Sequence, residues 1–340
     1  MNYDYYVKKV PKLFGEIKIC FYICNTRTRQ ASLQCLNRRV VFFMAHYNKT
    51  YQAPGQLLAL LKSRGLSVNN STRAEECLRR IGYYRFSGYL YPLLTIPKDR
   101  HIFKNGASFD RALNMYRFDS QLRTMMFSQI EQVEVAVRSA IVNITSRETG
   151  NPFWMTDSLC FYDNSIFLKA KQYIDDELSK SKEEFIQHFR SSYSDPYPPS
   201  WMLAEILPFG VLTRIYDNIR SNQIRKQIAK EFSLNVPVFM SWLTIVTVCR
   251  NNCCHHSRVW NRTFALRALS MRNMTQPWIS MPVNQQKVFF SLCIIKYLLN
   301  IISPLNDMTN KLKTLLTAFP EIDTAAMGFP NGWDNEPVWC

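Results

Sequence analysis

No apolar run in this chain of 340 residues is long enough to cross a bilayer. The best candidate, Val288 to Ile302, is about 15 residues with Lys296 inside it, against the roughly 20 that a hydrocarbon core requires. A buried helix accounts for it better. No secretory signal stands out, and no membrane partner is expected. The ten cysteines, Cys20, Cys24, Cys35, Cys77, Cys160, Cys249, Cys253, Cys254, Cys293 and Cys340, form no paired C-x-x-C clusters and keep no regular spacing. That pattern speaks for free thiols in a reducing, cytoplasmic setting rather than for a disulfide framework. Cys253-Cys254-His255-His256 is a poor metal site, because neighbours on a helix diverge by about 100° and no second ligand cluster exists. Neither a metal nor another cofactor is expected. β-type alternation and internal repeats are also missing, which leaves an all-α fold.

Acidic residues are scarce relative to basic ones. Lys and Arg total 42 against 26 Asp and Glu, a formal charge of +16 that points to an anionic partner. Aromatic residues make up 14 %, high for so basic a chain, and aromatic plus cationic surface suits single-stranded nucleic acid. Most of the Phe and Tyr are still expected in the core. The length allows two domains or one all-helical unit.

What is there in concentration lies between Arg250 and Arg262: Arg-Asn-Asn-Cys-Cys-His-His-Ser-Arg-Val-Trp-Asn-Arg. Two of the five histidines stand side by side in it. Imidazole suits proton transfer near neutral pH and guanidinium suits a phosphate, so the pattern suggests chemistry on a phosphodiester. An isolated Arg-x-x-x-x-His is a common chance pattern, and the weight comes from Asn251, His256, Arg258, Asn261 and Arg262 around it. At helical spacing His255, Arg258 and Arg262 share a face, whereas Arg250 and His255 lie about 140° apart. Either the helix begins or bends at the motif, or a two-fold dimer must bring an Arg and a His together from two chains.

Along the chain, Leu57, Leu58, Leu60 and Leu61 predict a short helix that Gly65 can terminate. Thr72-Arg-Ala-Glu75 has capping-box spacing and opens a helix through Ile81 toward Tyr89. Ser108 can cap another. From Leu122 the positions Met126, Ile130, Val133, Val137, Ile141 and Ile144 step by three and four, one long helix with one buried stripe. On its flank Glu131, Glu134 and Arg138 form either solvated ion pairs or a device in which Glu134 orients Arg138 into a groove opposite the Arg250 segment; the sequence leaves both open. A charged helix is predicted over 164–190. After a Pro-rich break, Ser200 can cap a helix to Asn218 that Pro208 should kink. Pro237 opens the apolar run that delivers Arg250. Helices near Val288 and from about Leu305 to Phe319 follow, and the tail from Phe329 is expected to dock by its tryptophans. Residues 1–43 are basic and lack period; Met44 is the expected start, with 1–43 a non-native or disordered extension and 44–340 the helical domain.

From about Tyr47 to Trp339 these segments resemble the bacterial abortive-infection family of AbiD and AbiF type. The residues that carry the resemblance are Lys62-Ser-Arg-Gly-Leu66, Gly82-Tyr-Tyr-Arg-Phe-Ser-Gly-Tyr89, Tyr116-Arg-Phe-Asp-Ser-Gln-Leu-Arg123 and Ile130-Glu-Gln-Val-Glu-Val135 with Arg138. Pro199-Ser-Trp-Met202 with Glu205 and Phe209-Gly210, the Arg250 segment and Gly328-Phe-Pro-Asn-Gly-Trp333 complete it. That family is similar to the HEPN superfamily, helical bundles in which Arg-x-x-x-x-His, with a polar residue after the Arg, forms a metal-independent RNase site. Arg250, Asn251 and His255 match position by position, while Cys254 stands where a small residue such as Ala is usual.

The resemblance implies a HEPN core over about 109–302 with added N-terminal and C-terminal helices, a homodimer uniting two motifs, and an antiphage role in which RNA cleavage halts the infected cell. In that scheme His255 moves a proton at the ribose 2′-hydroxyl or the leaving 5′-oxygen, Arg250 binds the scissile phosphate, and Asn251 steadies the backbone or the imidazole. His256, Arg258, Asn261 and Arg262 support the site, and Arg85, Arg123 and Arg138 hold single-stranded RNA; a regulatory small RNA is a further conceivable partner. The rival reading is a non-catalytic RNA- or nucleotide-binding module of a defence or toxin–antitoxin system. A third is that the two histidines are structural hydrogen-bonders at a helix end. The doubled imidazole favours the enzyme, since affinity alone would be served by more Lys or Arg.

Overall fold

Proline and capping polar residues set the first helices. The computed structural model describes residues 49–271 and 273–340, so the expected extension 1–43 and the start at Met44 lie outside the described residues. Pro54 opens α1 (Pro54–Ser63), its fixed φ suiting a first turn. α2 (Ser71–Ile81) begins one residue before Thr72, because the Asn70 side chain caps it by accepting the Arg73 N–H at 2.9 Å. The expected continuation to Tyr89 is broken at Gly82, whose φ of 82° glycine alone adopts readily. α3 (Tyr83–Leu90) is therefore a separate helix. Ser108 does cap the next one: its hydroxyl accepts from Arg111 N–H, and α4 (Phe109–Thr149) runs 41 residues to Gly150. At 1.5 Å per residue that is about 60 Å of helix. Met126, Ile130, Val133, Val137, Ile141 and Ile144 are all buried along it, as their spacing requires.

The charged segment expected as one helix is two, α5 (Asn164–Lys180) and α6 (Glu184–Ser192). Between them Ser181 is extended, and its carbonyl accepts the Gln187 side-chain amide at 3.1 Å. At Pro208 the expected kink is a full break between α7 (Ser200–Ile206) and α8 (Phe209–Asp217), since proline has no N–H to continue the ladder. Ser200 is not a cap; it is buried, and its hydroxyl accepts the Met155 N–H at 3.1 Å. α9 (Asn222–Glu231), capped by Ser221, is too polar for the hydrophobic pattern to announce. Asn235 caps α10 (Val236–Cys254), and α11 (Val288–Ile302) and α12 (Met308–Ala318) follow.

The fold is all-α: the described residues contain no strand, only three isolated bridges. α4 is its axis, and α3, α7, α9, α10, α11 and α12 pack along it. Gln52–Cys340 form one compact unit. Lys296, at first sight misplaced in the apolar α11, donates from Nζ to Asn306 Oδ1 at 2.9 Å, and burial lowers its pKa. The tail docks by aromatic rings: Phe329 and Trp339 lie against Phe289 at 4.5 and 6.1 Å, with Trp333 edge-on to Trp339 at 5.0 Å. No single described helix is long and apolar enough to cross a membrane.

Candidate functional site

α10 delivers the Arg250 segment and ends inside it. Arg250 stands in its last turns, His255 is the C-cap, and His256 has the left-handed φ of 53°. The closing bonds are His256 N–H to the Cys253 carbonyl at 3.1 Å and Ser257 N–H to the Asn252 carbonyl at 2.9 Å, the paired pattern of a Schellman terminus. Glycine is the usual residue at that left-handed position; histidine is one of the few others that tolerate it. Asn261 is left-handed as well, at φ 48°. The helix thus neither begins nor bends at the motif; it terminates there. The shared helical face expected for His255, Arg258 and Arg262 does not exist, because no helix runs past Cys254. Both histidines are exposed.

α3 holds this helix end by two reciprocal contacts. Arg85 donates to the His256 carbonyl, a cation on the negative end of α10, and Arg258 donates to the Gly88 carbonyl. A Cβ on Gly88 would lie 3.8 Å from Arg258 Nη1, an ordinary van der Waals contact, so the guanidinium lies close against this stretch of α3. Farther along, Asn261 Oδ1 accepts from Lys287 Nζ at 3.1 Å, and the Arg262 guanidinium lies 5.9 Å from the Phe264 ring.

Beneath the loop sits a carboxylate that the sequence reading did not single out. Asp119 on α4 is 0 % exposed and accepts from four directions. Its Oδ1 takes the backbone N–H groups of Val259 and Trp260 at 3.0 and 2.6 Å, and its Oδ2 takes the Tyr89 hydroxyl and the Arg123 guanidinium. Burial and then the neighbouring Asp119 push the Tyr89 phenol well above its ordinary range. Asp119 thus fixes the turn that follows the histidines. The only signal in the sequence is the i, i+4 spacing of Asp119 and Arg123. Arg123 itself, expected to hold a strand, is 6 % exposed and ion-paired inside the fold.

A second carboxylate reaches Arg250. Glu134 Oε1 accepts from Arg138 Nη2 at 3.1 Å, and its Oε2 lies 3.5 Å from Arg250 Nε, an ion-pair distance. Arg138 is anchored in turn by the Ala204 and Leu207 carbonyls at the end of α7. Neither reading of the Glu134–Arg138 pair describes it: the pair is largely buried rather than solvated, and Arg138 is turned onto the α7 carbonyls rather than into a groove. Arg250 Nη1 also meets Asn251 Oδ1 at 3.5 Å. Arg250, Asn251, His255 and His256 thus stand in or just past the last turns of α10, Arg85 and Arg258 tie that end to α3, and Arg123 and Arg138 are withdrawn into packing.

The thiols of the segment are quiet. Burial pushes Cys249 up to about 11 and Cys253 up to about 12, so both are protonated thiols at neutral pH. Among the described residues no group of three His, Cys, Asp or Glu is placed to hold a metal ion. In native protein at neutral pH, iodoacetamide should modify the exposed Cys340 and leave Cys249 and Cys253 intact, as peptide mass spectrometry would show. Rapid labelling of Cys253 would contradict its burial.

Residues 76–261, more than half of the chain, match the family described as Abi-like protein. The match runs from within α2 to the loop after α10, and so includes Asp119, Glu134 and the whole segment from Arg250 to Asn261. No curated protein and no solved structure matches the chain.

Proposed function

The chain belongs to the Abi-like protein family, whose members point to a role in abortive infection, and from that premise we propose that it is an endoribonuclease whose site is Arg250, Asn251 and His255. The observation that carries the reading is the arrangement at the end of α10: an exposed imidazole on the C-cap, five residues along from a guanidinium whose Nε lies 3.5 Å from the Glu134 carboxylate. A carboxylate beside that edge does not neutralise the cluster, since Arg138 balances Glu134 and Arg250 keeps a surplus positive charge for a phosphate.

In the proposed reaction His255 accepts the proton of a ribose 2′-hydroxyl, or returns one to the departing 5′-oxygen. The 2′-oxygen bonds to phosphorus and the bond to the 5′-oxygen breaks. Arg250 stabilises the charge that builds on the phosphoryl oxygens. Because the nucleophile is internal, the reaction draws on no metal-bound water. His256, Arg258, Asn261 and Arg262 form the rim, and the held turn keeps the imidazoles in place.

The proposal includes a homodimer. The angular separation that argued for one stands, because α10 stays regular as far as its C-cap His255, whose N–H still bonds the Asn251 carbonyl at 2.9 Å. The exposure of both histidines also supports the dimer, because a second copy would cover the site and exclude water from it. The test of the function is direct: purified wild type should cleave total cellular RNA and His255→Ala should not. Equal cleavage by the two proteins would refute the assignment. A binding module that cuts nothing would instead retain RNA with both proteins and leave it whole.

A further inference from the structure

The face of α3 turned away from the core carries Tyr84. Phe86, Tyr89 and Leu90 of the same helix are buried. They lie two, five and six residues on, about 140° to 240° round the axis from Tyr84. Tyr84 is accordingly 73 % exposed. A single exposed tyrosine is ordinary on a protein surface. Its surroundings are not. Four residues on, along the same face, is Gly88, whose carbonyl accepts from Arg258. One residue on is Arg85, which donates to the carbonyl of His256. The Tyr84 ring therefore stands on the helix that clasps the end of α10, beside the two arginines, Arg85 and Arg258, that tie the helices together. Tyr91, 47 % exposed, differs, because Lys98 Nζ covers its ring at 4.5 Å.

We propose that Tyr84 is the nucleobase-stacking residue of this site: a base of single-stranded RNA next to the bound phosphate lies on the Tyr84 ring, while Arg85 and Arg258 supply the cationic border. The proposal rests on the RNA-handling reading above and adds to it the group that engages bases rather than phosphates. A ring face attracts any base, so Tyr84 confers preference for unpaired strands without a sequence code. The phenol oxygen plays no part, and phenylalanine should serve.

The test uses the full chain carrying His255→Ala, so that RNA is bound but not cut, and two fluorescent probes of equal length. One is a twelve-nucleotide oligoadenylate; the other is the same sugar-phosphate backbone without bases. Adding Tyr84→Ala should weaken the oligoadenylate about tenfold, within the range seen for loss of one stacked base. The base-free backbone should bind both proteins alike. Tyr84→Phe should stay within about twofold of the parent, and Tyr173→Ala, an exposed tyrosine on α5, should change neither probe. Unchanged oligoadenylate affinity in Tyr84→Ala, or an equal loss on both probes, would overturn the stacking role and leave the site standing. If the parent binds neither probe, the RNA reading falls and the stacking role with it. Melting temperatures of the variants, expected to match, separate a local loss from misfolding.

Discussion

Asp119→Ala should cost about 3–5 kcal/mol of stability, the largest loss expected from any single substitution near the site. The change strands the buried Arg123 guanidinium without its counter-charge and leaves the Tyr89 hydroxyl and the Val259 and Trp260 N–H groups without their acceptor. Water cannot replace the carboxylate, because Asp119 is 0 % exposed and the groups around it are packed. Asp119→Asn keeps an oxygen for the two backbone donors and removes the charge that Arg123 needs, so it should fall between wild type and the alanine variant. Urea denaturation measures both. Amide exchange should also quicken at Val259 and Trp260 in the alanine variant more than in the α4 core. A loss below about 1 kcal/mol would mean that the loop is held by something other than this carboxylate.

Arg250→Ala and His255→Ala should each lower RNA cleavage at least a hundredfold, the scale on which a general acid–base group or a charge-stabilising donor contributes. Their stabilities should differ. His255 is exposed and its side chain makes no hydrogen bond or ion pair among the described residues, so its loss should stay within about 0.5 kcal/mol. Arg250 carries the Glu134 contact, and its removal should loosen that carboxylate while Arg138 keeps hold of it. Mixing the two inactive variants should restore part of the activity if one site draws its Arg and His from different subunits. Recovery is then a property of the mixed dimer and must be absent from either protein alone. Failure to recover, with a dimer demonstrated by sedimentation, would assign both residues of a site to one chain.

How much of this was legible in the sequence depends on the range of the interaction. The period of Met126 to Ile144, the Ser108 cap and the docking of Trp333 and Trp339 are local or compositional, and the structure has them. So is the all-α class. Helix breaks were read less well. Gly82 and Ser181 interrupt runs whose hydrophobic pattern continues past them, and Pro208 ends a helix it was expected only to bend. At the site, Arg250, Asn251, His255 and His256 could be singled out because their residue types are unusual together. Their geometry could not, since it depends on where α10 ends, and that is decided by Arg85 from α3 and Asp119 from α4, 171 and 140 residues from their partners in the chain. Arg123 and Arg138 illustrate the same limit in reverse. A cation in a motif block looks alike whether it faces a phosphate or a buried carboxylate, and only packing separates the two.

The measurement that bears most directly on the central claim is the chemistry of the ends produced from a defined RNA in the presence of EDTA. Attack by the neighbouring 2′-hydroxyl predicts fragments ending in a 2′,3′-cyclic phosphate, each followed by a free 5′-hydroxyl, with yield unchanged by the chelator and lost in His255→Ala. Fragments with 3′-hydroxyl and 5′-phosphate ends, or cleavage that stops when EDTA is added, would contradict it.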